Sequence, residues 1–242
     1  MVQSKRMEMP RLGTRKLYYL LKGCFEANNI NIGRDALFNY LGSENMLIKP
    51  RKNYTKTTDS KHWLKKHPNL YSTKNINRAE EVFVSDITYL KSRERTHYLS
   101  LVTDAFSRKI MGYKLSNDMN TENVVQALNM AVNQRESRGE LIHHSDRGLQ
   151  YASELYQTRL KAEGIIPSMT DGHDCYQNAL AERINGILKQ EFLYHKCNSF
   201  DQLEKLVKES IEIYNEKRPH LSLDMKTPNF VHKKSCKVCL TA

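Results

Sequence analysis

The chain has 242 residues, with 38 Lys+Arg against 27 Asp+Glu, a net charge of +11 and 39% apolar residues. That length allows one large domain, or one with a small appendage, and leaves enough apolar residues for a core. No stretch approaches the ~18 consecutive apolar residues of a membrane span, no apolar run follows Lys5-Arg6 to make a secretory signal, and five scattered cysteines point to reduced thiols in a cytosol.

The charge is unevenly spread. Residues 1–76 hold 15 Lys+Arg and 5 Asp+Glu, and the rest hold 23 and 22. A basic module that meets a polyanion, joined to a nearly neutral body, is the expected organisation, with nucleic acid as the polyanion. Within the basic third, Gly13 to Leu21 places Leu17, Leu20 and Leu21 on one helical face. Asn28 to Asn31 reads as a turn, and Gly33 to Leu41 as a second short helix with Leu37, Phe38 and Leu41 inward and Arg34, Asp35 and Asn39 outward. Two short helices around a turn are compatible with a helix-turn-helix, with Tyr18, Tyr19 and Phe38 in its core. Residues 49–76 are polar and proline-marked, as in a linker that Trp63-Leu64 and Leu70-Tyr71 can dock.

Beyond residue 76 the texture changes to strands: Val82 to Leu90, Tyr98 to Thr103, Lys109 to Leu115, Leu141 to His144 and Ile165-Ile166. Amphipathic helices are expected over Asn120 to Arg135, Ser153 to Glu163, Tyr176 to about Phe192, and Phe200 to Tyr214. This succession predicts an α/β fold, a mixed sheet covered by helices.

Asp86 interrupts a strand that is otherwise nearly all apolar or aromatic, where an unpaired charge is costly. A Lys or Arg partner, or a place at the strand's exposed end, would account for it. Asp146 ends a second short apolar run. Acids at two strand ends of one sheet can converge on a hard cation. Glu182 lies on a helix where Asn178, Glu182, Asn185 and Lys189 form one stripe opposite an apolar face, which alternatively is a plain solvated face. Glu191 falls on the far side of that helix and is the poorer third ligand. Asp104 also ends a strand, and His143 and His144 read as packing or hydrogen-bonding neighbours. Cys236-Lys237-Val238-Cys239 has only His232 nearby, too few ligands for zinc.

Together these residues resemble a known family. Ser85-Asp86-Ile87-Thr88-Tyr89, Tyr98-Leu99-Ser100 and Asp104-Ala105-Phe106-Ser107-Arg108 are similar to the opening of the retroviral-integrase-type core. His143-His144-Ser145-Asp146-Arg147-Gly148 with Gln150-Tyr151 resembles the second acid block of bacterial insertion-sequence transposases. Ser168-Met169, Asn178-Ala179 and Ala181-Glu182 with Lys189 resemble the third. Thirty-five residues separate Asp146 from Glu182, as in the D,D-35-E transposases. Tyr214-Asn215, Arg218-Pro219-His220 and Thr227-Pro228 resemble the end of the core, and Gly13-Thr14-Arg15-Lys16-Leu17 resembles the helix-turn-helix preceding it in the OrfB class. Where family members often carry Asp before the Asn-Ala pair, this chain has Gln177.

The resemblance implies a ribonuclease H-like mixed sheet flanked by helices, preceded by a small all-α helix-turn-helix domain. Expected divisions are a DNA-binding domain over 1–60, a linker over 61–78, a catalytic core over 79–232 and a tail over 233–242. Asp86, Asp146 and Glu182 are the implied catalytic residues and ligands of two Mg²⁺ ions, with Mn²⁺ able to substitute. Lys189, Arg15, Lys16, Arg34 and Asn39 are the expected DNA contacts. The implied activity is a transposase that binds element ends, cleaves DNA strands and joins them. A catalytically silent DNA-binding regulator and a ribonuclease H-like nuclease are the alternatives. Implied partners are terminal inverted repeats and target DNA, further copies of the chain on DNA, and a fused or bound upstream-frame protein. The expected location is a bacterial cytoplasm, at the nucleoid, without a membrane.

Overall fold

A computed structural model describes residues 1–49, 64–137, 139–171 and 175–240. The expected boundary between residues 60 and 61, the docking of Trp63 and the side chain of Cys239 lie outside the described residues.

Three helices open the chain: α1 (Val2–Glu8), α2 (Thr14–Ala27) and α3 (Arg34–Ser43). Helix α2 buries Leu17, Leu21 and Phe25, spaced four apart on one face, and α3 buries Leu37 and Leu41 in the same way. Asn29 turns the chain between them in the left-handed region (φ 54°), which Asn tolerates well. Phe38 and Tyr19, expected in the core, are instead 50% and 48% exposed. Each follows or precedes a buried leucine by one or two positions, which rotates it off the narrow stripe that these short helices bury.

The body is built on a five-stranded sheet. Its elements in chain order are β1 (Val82–Lys91), β2 (Thr96–Asp104), β3 (Ile110–Ser116), α4 (Thr121–Asn133), β4 (Ile142–Ser145), α5 (Leu149–Ala152), α6 (Glu154–Ala162), β5 (Ile166–Met169), α7 (Ala179–Ile187), α8 (Phe200–Glu216) and α9 (Pro228–Leu240). Strand order is β3-β2-β1-β4-β5. The first three strands form an antiparallel meander, and β4 and β5 add in parallel to β1. Such mixed order is what consecutive strands followed by strand–helix alternation dictate.

Side-chain alternation divides the core between the sheet's faces. Phe83, Val102 and Met111 pack with α4, α5 and α6 on one face. Leu99, Leu101 and Leu115 face the other way, onto Ile184, Leu188 and Ile211. The same cluster continues into Leu12, Leu17, Leu21, Leu37 and Leu41, so the N-terminal helices share a core with the body. Polar contacts fasten them: Lys217 meets Glu8 at 2.7 Å, and the Arg11 guanidinium lies 5.7 Å from the Tyr194 ring centre.

Two departures from the sequence reading bear on the site. The helix expected from Tyr176 to Phe192 is three segments: a 3₁₀ turn over Cys175–Asn178, helix α7, and a π turn over Leu188–Phe192, where the Leu193 amide reaches the Leu188 carbonyl at 2.8 Å. Residues from 233, read as a tail, continue α9 to Leu240.

Helix α9 is stapled to the start of β1. The Ser235 hydroxyl accepts the Ala79 amide at 2.8 Å, and His232 bridges Glu80 (3.2 Å) and Ser107 (3.1 Å). Asp104 accepts the Ser107 amide, the Ser107 hydroxyl and the Glu80 amide, all within 2.7 Å, which makes it the organiser of a turn and separates it from the other acids.

Candidate active site

Asp86 stands two residues past Val84 on β1, and Asp146 two residues past His144 on β4. Val84 and His144 are partners in the last register pair of the parallel β1–β4 ladder. Both acids therefore follow the ladder at the same level, beyond the carboxyl ends of adjacent parallel pairings, where open α/β sheets bind ligands. Val82, Val84 and Asp86 point to one face by the two-residue period, and Val82 and Val84 pack there with Ala181 of α7.

The polar stripe of α7 lies on that face. Asn178 donates to the Ser85 carbonyl at 3.0 Å, and Asn185 donates to Asp86 Oδ2 at 2.7 Å. Both asparagines are only 4% exposed, so at these positions the stripe faces the sheet, while Glu182 between them remains exposed. Asn185 received no role from the sequence. Its one signal was its position on the stripe, three residues after Glu182.

The acids act on one another electrostatically. Burial, with the charges of Asp146 and Glu182, pushes the Asp86 carboxyl up to about 7 against the opposing pull of the Asn185 hydrogen bond. Burial and then Asp146 raise Glu182. Asp146 Oδ1 accepts the Gly148 amide at 3.0 Å, and a β-carbon on Gly148 would sit 3.0 Å from that same oxygen, so glycine lets the turn close over the carboxylate.

These residues fit a divalent cation. The donors are hard carboxylate oxygens, and burial, then neighbouring charge, disfavours ionisation of Asp86 and Glu182 in the absence of a cation. Asn185 Oδ1 is buried beside Asp86 with no hydrogen-bond partner, an acceptor suited to a water on a cation. Among the described residues, the cluster of potential ligands drawn within 4.8 Å is a different one, Glu80, His232 and Cys236. Asp86, Asp146 and Glu182 are not drawn together as closely as that cluster.

The tighter cluster has a protein explanation. Glu80 accepts the amides of Glu136 and Ser137 as well as facing His232. Burial opposes charge on His232, yet Asp104 and Glu80 raise its pKa. Burial, with Glu80, Glu136 and Asp104 nearby, pushes the Cys236 thiol up to about 12, leaving it neutral.

The expected DNA contacts separate into two groups. Arg15, Arg34 and Asn39 are exposed on α2 and α3, with Arg34 bonded to its neighbour Asp35 at 2.8 Å. Lys16, expected to face DNA, turns inward. It is 15% exposed, 3.6 Å from Glu191, because its side of α2 lies against the body. Lys189, expected ~10 Å along a straight helix from Glu182, sits half-buried on the π turn. Burial lowers its pKa while Asp86 pulls it up, so its ammonium lies within the field of the acids.

The surroundings hold the site in place without adding ligands. His143 Nε2 meets the Ser85 and Tyr156 hydroxyls at 2.8 and 2.9 Å, and burial, then His144, lowers it to about 3. His144 donates to the Gln177 carbonyl at 3.1 Å and packs at a tilt against the Tyr71 ring. Gln177 accepts from Asn69 at 3.1 Å and donates to Asp171 at 3.2 Å, the second of which an aspartate at that position could not do.

Two family models described as Integrase core domain match residues 76–175 and 163–228. The uncharacterized 31 kDa protein of insertion element IS600 from Shigella sonnei is 34% identical over 219 residues, 89% of this chain and 79% of that protein. The transposase for insertion sequence element IS904 from Lactococcus lactis is 32% identical, covering 72% of each. Against the putative transposase of IS986/IS6110 from Mycobacterium tuberculosis identity is 34%, and the chain spans 52% of that protein's length. Among solved structures, a chain of the simian T-cell lymphotropic virus intasome superposes with a TM-score of 0.57 at 18% identity, over 91% of this chain and 70% of that one.

Proposed function

Because the chain belongs to the insertion-sequence transposases with an integrase core domain, we propose that it cleaves DNA at the ends of its element and joins them to a target at Asp86, Asp146 and Glu182. The observation that carries this reading is the placement of Asp86 and Asp146 just past the end of the parallel β1–β4 ladder, beneath the helix that carries Glu182 and ties Asn185 to Asp86. Asp86, Asp146 and Glu182 would hold two Mg²⁺ ions, with Mn²⁺ able to substitute. When bound, such a pair supplies Lewis-acid stabilisation at both the attacking and leaving oxygens of an in-line phosphoryl transfer.

The chain's own residues prepare that reaction. Asn185 fixes the rotamer of Asp86, and Asn178 pins the start of α7 to β1, so Glu182 is held at a set height above the strand ends. Lys189, on the π turn that continues α7 beyond Glu182, supplies a positive charge that can contact a phosphate next to the scissile bond. Arg15, Arg34 and Asn39 offer phosphate and base contacts from the exposed faces of α2 and α3. In this reading residues 1–60 form the DNA-binding segment, 61–78 a linker, and the catalytic core begins at residue 79 and includes α9. Several copies assemble on terminal repeats and target DNA, with an upstream-frame protein, at the nucleoid.

The test is an assay on DNA carrying the element's ends. Asp86→Asn, Asp146→Asn and Glu182→Gln should each abolish Mg²⁺-dependent cleavage and joining, and binding of the ends should persist. Near-normal joining by any of the three removes that residue from the site. Binding without cutting by the parent protein would favour the regulator instead.

A further inference from the structure

Glu191, the rival acid on the far side of the α7 stripe, has a different role. It lies on the π turn Leu188–Phe192, two residues after Lys189 and therefore on the opposite side of it. Arg218 grips it with two bonds, Nε to Oε2 at 2.8 Å and Nη2 to Oε1 at 2.6 Å. Arg218 is 2% exposed, and its remaining Nη1 donates to His220 Nε2 at 3.0 Å. Lys16 of α2 completes the group, 3.6 Å from Glu191 Oε1. One carboxylate thus joins the N-terminal helices, the segment after α8, and the turn that carries Lys189.

We infer that Glu191 is a positioning residue: clamped by Arg218 and Lys16, it fixes the π turn that carries Lys189, and through Lys16 it makes the aim of Lys189 depend on the docking of the N-terminal helices. The role of Lys189 in this inference rests on the function proposed above. A π turn departs from ordinary helical geometry, and such turns persist where neighbours hold them. Here apolar anchors, Leu188 and Phe192, fix the turn's depth, and the bidentate ion pair fixes its rotation. A buried pair that loses one partner leaves an uncompensated charge, so the clamp should act as a unit.

The experiment uses the full chain with Glu191→Gln, Lys16→Met and the conservative Arg218→Lys. Limited acetylation read by mass spectrometry reports the exposure of each lysine amine without relying on catalysis. Glu191→Gln and Lys16→Met should each raise the labelling rate of Lys189 severalfold, with other lysines away from the clamp unchanged. In cleavage assays Glu191→Gln should lose about tenfold or more alone, but less than twofold in a Lys189→Ala background, because both changes remove the same interaction. Arg218→Lys, which keeps the charge but not the fork, should fall between parent and Glu191→Gln. Unchanged Lys189 labelling, or losses that simply multiply, would overturn the inference. If labelling shifts as expected but the parent cuts no DNA, the coupling stands and the proposed function falls.

Discussion

Asn185 and Asp86 meet across the junction of α7 and β1, with the Asn185 amide donating to Oδ2 at 2.7 Å. This bond opposes the burial and like charge that push Asp86 toward its neutral form. Hydrogen bonds to charged groups contribute about 1.5–3 kcal/mol, and 1.36 kcal/mol is a factor of ten in rate. Asn185→Ala should therefore lower single-turnover cleavage about 10- to 100-fold. Asn185→Asp, which adds a fourth acid, should lower it further. A rate for Asn185→Ala within twofold of the parent would remove Asn185 from the catalytic machinery.

The crowding of acids predicts an inverse relation between activity and stability. In buffer without divalent ions at pH 8, Asp86→Asn should melt higher than the parent, by about 2–4 °C for each kcal/mol of repulsion relieved. Added Mg²⁺ should raise the melting temperature of the parent by mass action and leave that of Asp86→Asn nearly unchanged. Calorimetry with and without Mg²⁺ tests both halves; equal Mg²⁺ shifts in the two proteins would argue against Asp86 as a ligand.

Much of this was legible in the sequence, and the exceptions have physical causes. The five strands were visible because β-branched and aromatic runs stand out, and Asp86 because a charge inside such a run is anomalous. Period alone placed Asn178, Glu182, Asn185 and Lys189 on one stripe, but it could not say whether the stripe met water or the sheet. The asparagines give the answer in hindsight: uncharged amides can be buried when their donors find a carbonyl and a carboxylate. The π turn was hidden because nothing in Leu188–Phe192 differs from an ordinary helix; long-range partners, Arg218 and Lys16, accompany it. For the same reason Lys16 and Arg15 looked alike, although one faces the body and the other solvent.

Buried histidines weaken the fold in acid. His220 is lowered to about 2 by burial and then by Arg218 and Lys16, and His143 to about 3. Both remain neutral in the folded protein and gain protons only on unfolding. Their contribution is full above about pH 6.5 and is lost progressively as pH falls toward those values, about 2 kcal/mol each by pH 5. Urea denaturation at pH 7.5 and 5.0 should show a smaller pH-dependent loss for His220→Asn than for the parent. An identical loss would mean that His220 is not neutral in the folded state.

Gly112 shows how closely α4 is pressed onto β3. A β-carbon there would run into the Ala127 carbonyl oxygen and lie 2.7 Å from the Ala131 amide nitrogen. These are backbone atoms, which cannot swing aside. Gly112→Ala should cost about 3 kcal/mol, near the upper end for overpacked cores, and lower the melting temperature by roughly 6–12 °C. Thermal denaturation checks this, and a loss below about 2 °C would mean that the helix retreats easily.

The staple between α9 and β1 bears on the order of synthesis. Asp86 is synthesised about 150 residues before Ser235 and His232, which fasten Ala79 and Glu80 at the entrance to its strand. Domains fold as units during translation, and contacts between segments so distant along the chain cannot form until both have been made. A nascent chain that has made Asp86, Asp146 and Glu182 but not α9 therefore holds its acids on an unfinished frame. The frame beneath the acids closes when α9 is added, after the basic N-terminal helices have emerged.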